Sequence, residues 1–123
     1  MLKVNAKNFG TVTILCLQGQ MVRGGTAALK EAVNAQSGVS AVVLDLGRVS
    51  TVDAGGLGLM LELREQTQAK GIDFKIMNVT SLFREVLEIT RLDSVFEITT
   101  GIELLSAVSL NRPVATMELA SCA

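Results

Sequence analysis

The stretch VSAVVLDLGRVSTVDAGGLG, residues 39–58, decides the fold. Its first part, Val39 to Leu46, is almost entirely apolar and predicts a strand that is buried on both faces, as in a parallel sheet covered by helices. Residues 49–58 predict a strand-to-helix turn with three glycines in its last four positions. The apolar residues that follow predict a helix over Leu57 to Lys70, ended by Gly71. A buried strand that leads through such a turn into a helix is typical of α/β folds.

The residues before this stretch predict a β-hairpin followed by a helix. Two extended segments, Leu2 to Lys7 and Thr11 to Gln18, flank Asn8-Phe9-Gly10, whose Asn and Gly suit a tight turn. Thr26 can cap a helix that ends near Gln36. The chain therefore begins antiparallel and continues into a first βαβ unit.

The residues after this stretch predict another strand and helix. Ile72 to Asn78 alternates between apolar and other side chains and predicts the next parallel strand. Thr80 or Ser81 opens a third helix. Its side chains at helical spacing predict a buried stripe that two further apolar residues widen. The stripe is Leu82, Val86 and Ile89, and the widening residues are Phe83 and Leu87.

The last part of the chain predicts a short strand within Ser94 to Ile98 and a fourth helix. Thr100 and Glu103 have the spacing of a capping box at the start of that helix. The whole order predicts one α/β domain with a mixed four- to five-stranded sheet and about four helices packed against it. We expect the domain to cover residues 1–108 and residues 109–123 to form a flexible C-terminal tail.

Composition argues against several classes of function. The net charge is −1, from 11 basic and 12 acidic residues without a basic stripe, so nucleic acid is not an expected partner. The chain has no histidine, which removes imidazole catalysis and the common zinc sites, and we expect no metal, no cofactor and no enzyme activity. No apolar stretch is long enough to insert in a membrane, and no signal segment is evident, so the expected location is cytoplasmic. In that reducing compartment we expect Cys16 to be a buried small hydrophobe without a disulfide to Cys122.

The glycine-rich turn is the candidate functional site. Asp53 fits the N-cap position of the following helix, where its carboxylate can accept from the amide of Gly55 or Gly56. Glycine inside a helix costs about 1 kcal/mol relative to alanine, so close approach of another backbone is the expected benefit. That backbone belongs either to the protein's own sheet or to a partner. The glycine spacing does not match the dinucleotide-binding fingerprint.

The sequence here resembles the STAS family, typified by bacterial anti-sigma-factor antagonists. Val43-Leu44-Asp45-Leu46 followed by Val52-Asp53-Ala54-Gly55-Gly56-Leu57-Gly58 is similar to the family pattern of an apolar strand and then Asp-Ser-Ser-Gly-Leu-Gly. The resemblance covers about residues 3 to 108. In antagonists of that family, the second serine of the motif is phosphorylated by an anti-sigma-factor kinase, which docks on the surrounding turn and helix. The resemblance implies the same docking surface here. Ala54 and Gly55 stand at the two serine positions, so the motif position Gly55 carries no hydroxyl to phosphorylate.

The resemblance implies a regulatory protein in signalling and transcription that docks an anti-sigma-factor kinase or related ATPase through residues 51–58 and the following helix. Ser50, Thr51, Thr80 and Ser81 are hydroxyls near the turn, and we interpret them as turn and cap residues. Two alternatives stay open: a STAS subunit of a membrane-lipid transporter that binds its ATPase, and a small-ligand or nucleotide-binding module that uses the helix N-terminus. The sequence leaves the oligomeric state uncertain. The candidate partner-binding residues are Thr51, Asp53, Ala54, Gly55, Gly56, Leu57, Arg23 and Gly24.

Overall fold

The computed structural model describes residues 2–101, in which five strands and three helices alternate. The strands are β1 (Leu2–Phe9), β2 (Val12–Met21), β3 (Ala41–Val52), β4 (Asp73–Met77) and β5 (Glu97–Ile98). The helices are α1 (Ala27–Asn34), α2 (Ala54–Ala69) and α3 (Ser81–Ile89). The sheet order is β1-β2-β3-β4-β5; β1 pairs antiparallel with β2, and all the other pairs are parallel. The α/β fold with a mixed sheet is confirmed, while the predicted fourth helix and the predicted tail lie beyond the described residues.

The hairpin turn is shorter than the sequence suggested. Pairing between β1 and β2 continues to Phe9 and Val12, so Asn8 and Phe9 belong to β1 and only Gly10 and Thr11 form the turn. Gly10 has a φ of +62°, which glycine adopts without strain. The prediction of a turn over residues 8–10 was wrong because the pairing extends further than the local turn residues indicate.

The central strands extend well beyond the predicted bounds. β2 continues to Met21 instead of ending at Gln18, and β3 continues to Val52 instead of ending at Leu46. The register between them shifts twice, so that β3 holds two more residues than β2 over their common length. Such bulges bend and twist a strand without ending it. Residues 49–52 therefore belong to a strand and not to a turn, and α2 begins directly after Asp53.

The main core lies on one face of the sheet, where all three described helices pack. Each helix contributes buried side chains to the same cluster as alternate residues of the strands: Leu29 and Val33 from α1, Met60 and Leu63 from α2, Phe83 and Leu87 from α3. Burial of each such side chain contributes about 1.5–3 kcal/mol.

The predicted phase of α3 was wrong. Phe83 and Leu87 face the core, whereas Leu82 and Ile89 are 52% and 75% exposed and Val86 is partly buried. Residues four apart share a helix face, and the apolar arc of α3 is wide. The sequence alone therefore allows either Leu82 with Val86 or Phe83 with Leu87 to be the buried pair. The side chain of Thr80 accepts a hydrogen bond from the Phe83 amide (3.2 Å) and fixes the start of the helix next to the sheet.

The opposite face of the sheet carries a second apolar cluster. Its members come from β1, β2, β3, β4: Phe9, Val12, Ile14, Cys16, Ala41, Val43 and Met77. Cys16 is buried as expected, but it is disulfide-bonded, so the expectation of no disulfide was wrong. Its partner lies outside the described residues.

A buried carboxylate fastens β3 to the end of β4. One oxygen of Asp45 accepts from the Gly47 amide (2.9 Å), and the other accepts from the side-chain amide of Asn78 (3.0 Å). These bonds satisfy a group that is costly to bury without partners. They hold β3 at the residue where its first bulge begins, upstream of the candidate site. None of the helices within residues 2–101 is both long enough and apolar enough to span a bilayer.

Candidate functional site

The candidate site lies where β2 and β3 end together. The two strands are parallel, and their last residues, Met21 and Val52, are paired. The residues that follow, Arg23 and Gly24 after β2 and Asp53 before α2, therefore meet at one edge of the sheet. We call residues 21–24 and 51–58 the corner.

Asp53 joins the two halves of the corner. As the N-cap residue of α2 it accepts a hydrogen bond from the Gly56 amide (2.8 Å). Both carboxylate oxygens also accept from the amide of Arg23 (3.2 Å each), and the Asp53 amide donates to the Met21 carbonyl (3.3 Å). The bond from Gly56, followed by that from Arg23, lowers the pKa of Asp53 below its ordinary value because both favour the charged carboxylate. The predicted N-cap is thus confirmed, and it also clamps the segment after β2.

Two of the three glycines pack against the protein's own backbone. A Cβ at Gly56 would lie 2.0 Å from the Met21 carbonyl oxygen, and one at Gly55 would lie 2.6 Å from the Cβ of Arg23. A Cβ at Gly58 would meet nothing within 4 Å. Gly55 and Gly56 therefore let α2 start directly against the end of β2, which was the first of the two interpretations of this turn.

The candidate residues divide into an exposed group and a buried pair. Gly56 and Leu57 are buried, and Leu57 belongs to the main core, so neither lies on the surface of the corner. The others are exposed and contiguous around Asp53: Arg23, Gly24, Thr51, Asp53, Ala54 and Gly55. We call these six residues the corner surface. Apart from Arg23 and the two polar residues Thr51 and Asp53, it consists of glycine and alanine, so backbone is open to contact there.

The neighbouring hydroxyls have local partners. Ser50 donates to the Gly19 carbonyl (3.2 Å), which ties β3 to β2, and Thr80 caps α3. The Thr80 bond agrees with its interpretation as a cap residue, whereas Ser50 lies in β3 and its interpretation as a turn residue was wrong.

The N-terminus of α2 is poorly suited to an anionic ligand. The carboxylate of Asp53 already lies at the positive end of the helix and accepts from Gly56, where a phosphate would otherwise be held. A shallow depression of about 250 Å³ adjoins the corner and is lined by small or apolar residues, among them Gly24, Gly25 and Ala28. Within residues 2–101, no group of three acidic or cysteine side chains is placed to hold a metal ion.

Sequence reasoning missed the contribution of the Met21 backbone, which packs against the start of α2 at the corner. Its carbonyl accepts from Asp53 and lies against Gly56. A signal for this was present, since Gln18-Gly19-Gln20-Met21 continues an alternation that ends on an apolar residue. Extending β2 to Met21 would have placed that carbonyl beside the glycines.

Comparisons with known proteins agree with this fold. The family model of the STAS domain matches residues 3–104. The fold is similar to that of an anti-sigma factor antagonist from Mycobacterium paratuberculosis (TM-score 0.73, 23% identity, covering 89% of this chain and 95% of that one). It is also similar to a sulfate transporter family protein from Wolinella succinogenes (TM-score 0.66, 20% identity, 82% and 87% covered). A third similar structure is the Bacillus cell fate determinant SpoIIAA in its phosphorylated form (TM-score 0.63, 17% identity, 88% and 99% covered).

Proposed function

The chain belongs to the STAS domain family, and from this premise we propose that it is a regulatory protein-binding domain of the anti-sigma-factor-antagonist kind. In this proposal an anti-sigma-factor kinase or a related ATPase docks on the corner surface and the adjoining start of α2. The observation that supports it most is the hydrogen bonding of the Asp53 carboxylate to the amides of Arg23 and Gly56, which joins the exposed segment after β2 to the start of α2.

The form of the corner surface favours a protein partner. Gly24 and Ala54 have little or no side chain, so an incoming chain can approach their backbone closely. The clamp by Asp53 orders the surface before binding, which reduces the conformational entropy lost on association. Arg23 and Asp53 add one charge of each sign at its centre, which can select the orientation of the partner.

Binding at this surface would not be controlled by phosphorylation of the motif position. Gly55 has no hydroxyl, and the space into which a side chain would project is occupied by Arg23. A phosphoryl group on another side chain near Asp53 would add about two negative charges and weaken a docked complex. We therefore propose a constitutive antagonist, or one whose control lies in another part of the pathway. Phosphopeptide mapping should find no phosphate on residues 53–58.

We further propose that the protein acts in the cytoplasm by binding and not by catalysis. The absence of histidine from the sequence supports this, because it removes the commonest general acid–base group. The corner surface offers one carboxylate, and that carboxylate is engaged by backbone amides.

The decisive experiment is capture of partners from the native cell with a matched pair of variants. Ala54→Arg places a long charged side chain on the corner surface, whereas Gln68→Arg makes the same kind of change at an exposed position near the other end of α2. Wild type and Gln68→Arg should recover a kinase-like ATPase, and Ala54→Arg should bind it at least about tenfold more weakly, or about 1.4 kcal/mol. Equal recovery by all three proteins, with the fold intact by circular dichroism, would remove the corner from consideration.

The second candidate is a STAS subunit of a membrane-lipid transporter that binds the transporter's ATPase. The similarity to a sulfate transporter family protein supports a role in transport as the second candidate. The lack of a phosphoacceptor at the motif position is consistent with that role. The same capture separates the two candidates, because this one predicts recovery of a transporter ATPase in place of a kinase-like ATPase and its sigma factor.

A further inference from the structure

Three exposed polar side chains form a row across one face of the sheet. Strand pairing places Lys3 of β1 beside Gln18 of β2, and Gln18 beside Arg48 of β3. All three are exposed. The row lies on the face of the second apolar cluster, because Lys3 is an even number of residues from Phe9, as Gln18 is from Cys16. We call Lys3, Gln18 and Arg48 the basic row.

The two charges of the basic row come together through strand pairing. Lys3 and Arg48 lie far apart in a sequence that has no basic stripe, yet in the sheet only β2 separates them. Two strand spacings put their Cα atoms roughly 10 Å apart. The fold therefore creates a pair of neighbouring cations that the sequence does not show.

No carboxylate within residues 2–101 forms an ion pair with either cation of the row. The one ion pair in that part of the chain joins Lys75 to Glu97, on β4 and β5. Strands β1, β2 and β3 carry three basic residues and one acidic residue, Asp45. Asp45 is 6% exposed, and its two oxygens already accept from Gly47 and Asn78. The row thus presents positive charge on a protein whose net charge is −1.

The basic row is continuous with the corner surface. At the next position on the same face, Gln20 of β2 pairs with Thr51 of β3, and both side chains are exposed. This step along the strands covers roughly 7 Å. Because Thr51 belongs to the corner surface, a protein that docks on the corner can reach the basic row along one unbroken exposed surface.

The number of charges favours an acidic protein segment over a nucleic acid or a membrane. Proteins that bind nucleic acid make roughly 6–10 phosphate contacts, and basic clusters that bind anionic lipids hold roughly four to eight Lys or Arg side chains. The basic row has two cations, Lys3 and Arg48. Two carboxylates roughly 10 Å apart on a protein surface are enough to pair with both.

We propose that the basic row binds an acidic segment of the protein that docks at the corner surface. The proposal rests on the proposed function and adds to it the charge of the partner. Exposed charges at the edge of an interface act mainly on the association rate and on the choice of partner. The basic row therefore favours an ATPase with two or more carboxylates beside its docking surface and disfavours one that is basic there.

Charge reversal of the basic row, compared with reversal at two distant positions, tests the proposal. Lys3→Glu with Arg48→Glu changes the net charge as much as Lys70→Glu with Arg84→Glu, and both control residues are exposed, at the C-cap of α2 and on α3. The probe is the ATPase that wild type captures from the native cell, purified and titrated against each protein. At about 50 mM salt the row variant should bind at least about tenfold more weakly than wild type, and the control variant within about threefold of it. At about 500 mM salt the two variants should differ by less than about threefold, because exposed charges are then screened.

Zero-length cross-linking tests the contact itself. A carbodiimide joins an amine to a carboxylate that is paired with it, so mass spectrometry of the treated complex should find Lys3 joined to an Asp or Glu of the ATPase. Lys70 should not be joined to the ATPase. A complex that forms without a cross-link from Lys3 would overturn the proposal.

The corner variant Ala54→Arg separates failure of this proposal from failure of the proposed function. If Ala54→Arg weakens binding and the row variant does not, the corner surface remains the docking site and the acidic segment is refuted. If neither variant weakens binding, or wild type captures no ATPase, both proposals are refuted. If the row variant does not fold by circular dichroism, Lys3→Gln with Arg48→Gln takes its place, with an expected loss of at least about threefold at low salt, and binding equal to wild type then refutes the proposal.

Discussion

Alanine substitution of three neighbouring glycines tests whether α2 begins directly against the end of β2. In Gly56→Ala the new Cβ would lie 2.0 Å from the Met21 carbonyl oxygen and 2.9 Å from its carbon, so these atoms must separate by more than about 1 Å. Overpacking of this kind costs about 1–3 kcal/mol, and loss of the Met21–Asp53 hydrogen bond adds about 1 kcal/mol. Removing a glycine from a helix returns about 1 kcal/mol. We expect Gly56→Ala to lower the free energy of unfolding by about 1–3 kcal/mol.

Alanine substitution of the two other glycines provides reference values for the change in unfolding free energy of Gly56→Ala. Gly55→Ala meets Arg23 at 2.6 Å, on an exposed segment that can move more easily, and we expect a loss of about 0–1 kcal/mol. Gly58→Ala meets nothing and should gain about 1 kcal/mol. Urea unfolding, with the slope m checked for constancy, measures all three. The reasoning is refuted if Gly56→Ala is as stable as wild type, because α2 would then not be packed on the Met21 carbonyl.

Three further outcomes are expected. Thr80→Ala should lower the free energy of unfolding by about 1 kcal/mol through loss of the α3 cap, whereas Thr26→Ala should cost less because its side chain makes no cap bond; equal losses would contradict the cap assignment. Leu87→Ala should cost about 2–5 kcal/mol and Ile89→Ala less than about 0.5 kcal/mol in the same unfolding assay, and the reverse order would restore the phase expected from sequence. The folded pKa of Asp53 lies below its ordinary 3.8, so the stability that its carboxylate contributes is present above about pH 3.8 and is lost as pH falls through the folded pKa. The difference in free energy of unfolding between wild type and Asp53→Asn should therefore shrink in acid. A difference that grows in acid would refute the hydrogen-bond assignment.

Local signals predicted the parts of the fold that depend on local chemistry. The apolar run before Asp45 identified a buried parallel strand, and the aspartate before the glycines identified the helix cap. The extension of β3 to Val52 was not predictable in the same way, because its bulges depend on pairing with β2 and not on the residues of β3 alone. The phase of α3 failed for a related reason: helical periodicity describes a wide apolar arc, and only contact with the sheet decides that Phe83, not Leu82, is buried.

In the candidate site, too, the features set by local residues were predictable, and those set by contact with distant residues were not. The sequence located the corner and its exposed carboxylate, since cap chemistry and strand ends are readable from residue types. It did not show which backbone the glycines approach. That depends on Met21 and Arg23, which lie some thirty residues earlier in the chain and reach Gly55 and Gly56 only through the parallel pairing of β2 with β3.

The position of Arg23 links the missing phosphoacceptor to the shape of the corner. A serine at Gly55 needs roughly 0.8 Å more room at the Cβ of Arg23 to reach ordinary contact, so restoring the hydroxyl also pushes the segment after β2 away from α2. Removing the Arg23 side chain supplies that room at its nearest point. A double-mutant cycle with Gly55→Ser and Arg23→Gly should therefore show a coupling of about 0.5–3 kcal/mol, with the serine tolerated better when Arg23 is glycine. Additive effects would mean that the two positions do not touch, and the closed corner would then not explain why glycine occupies the motif position.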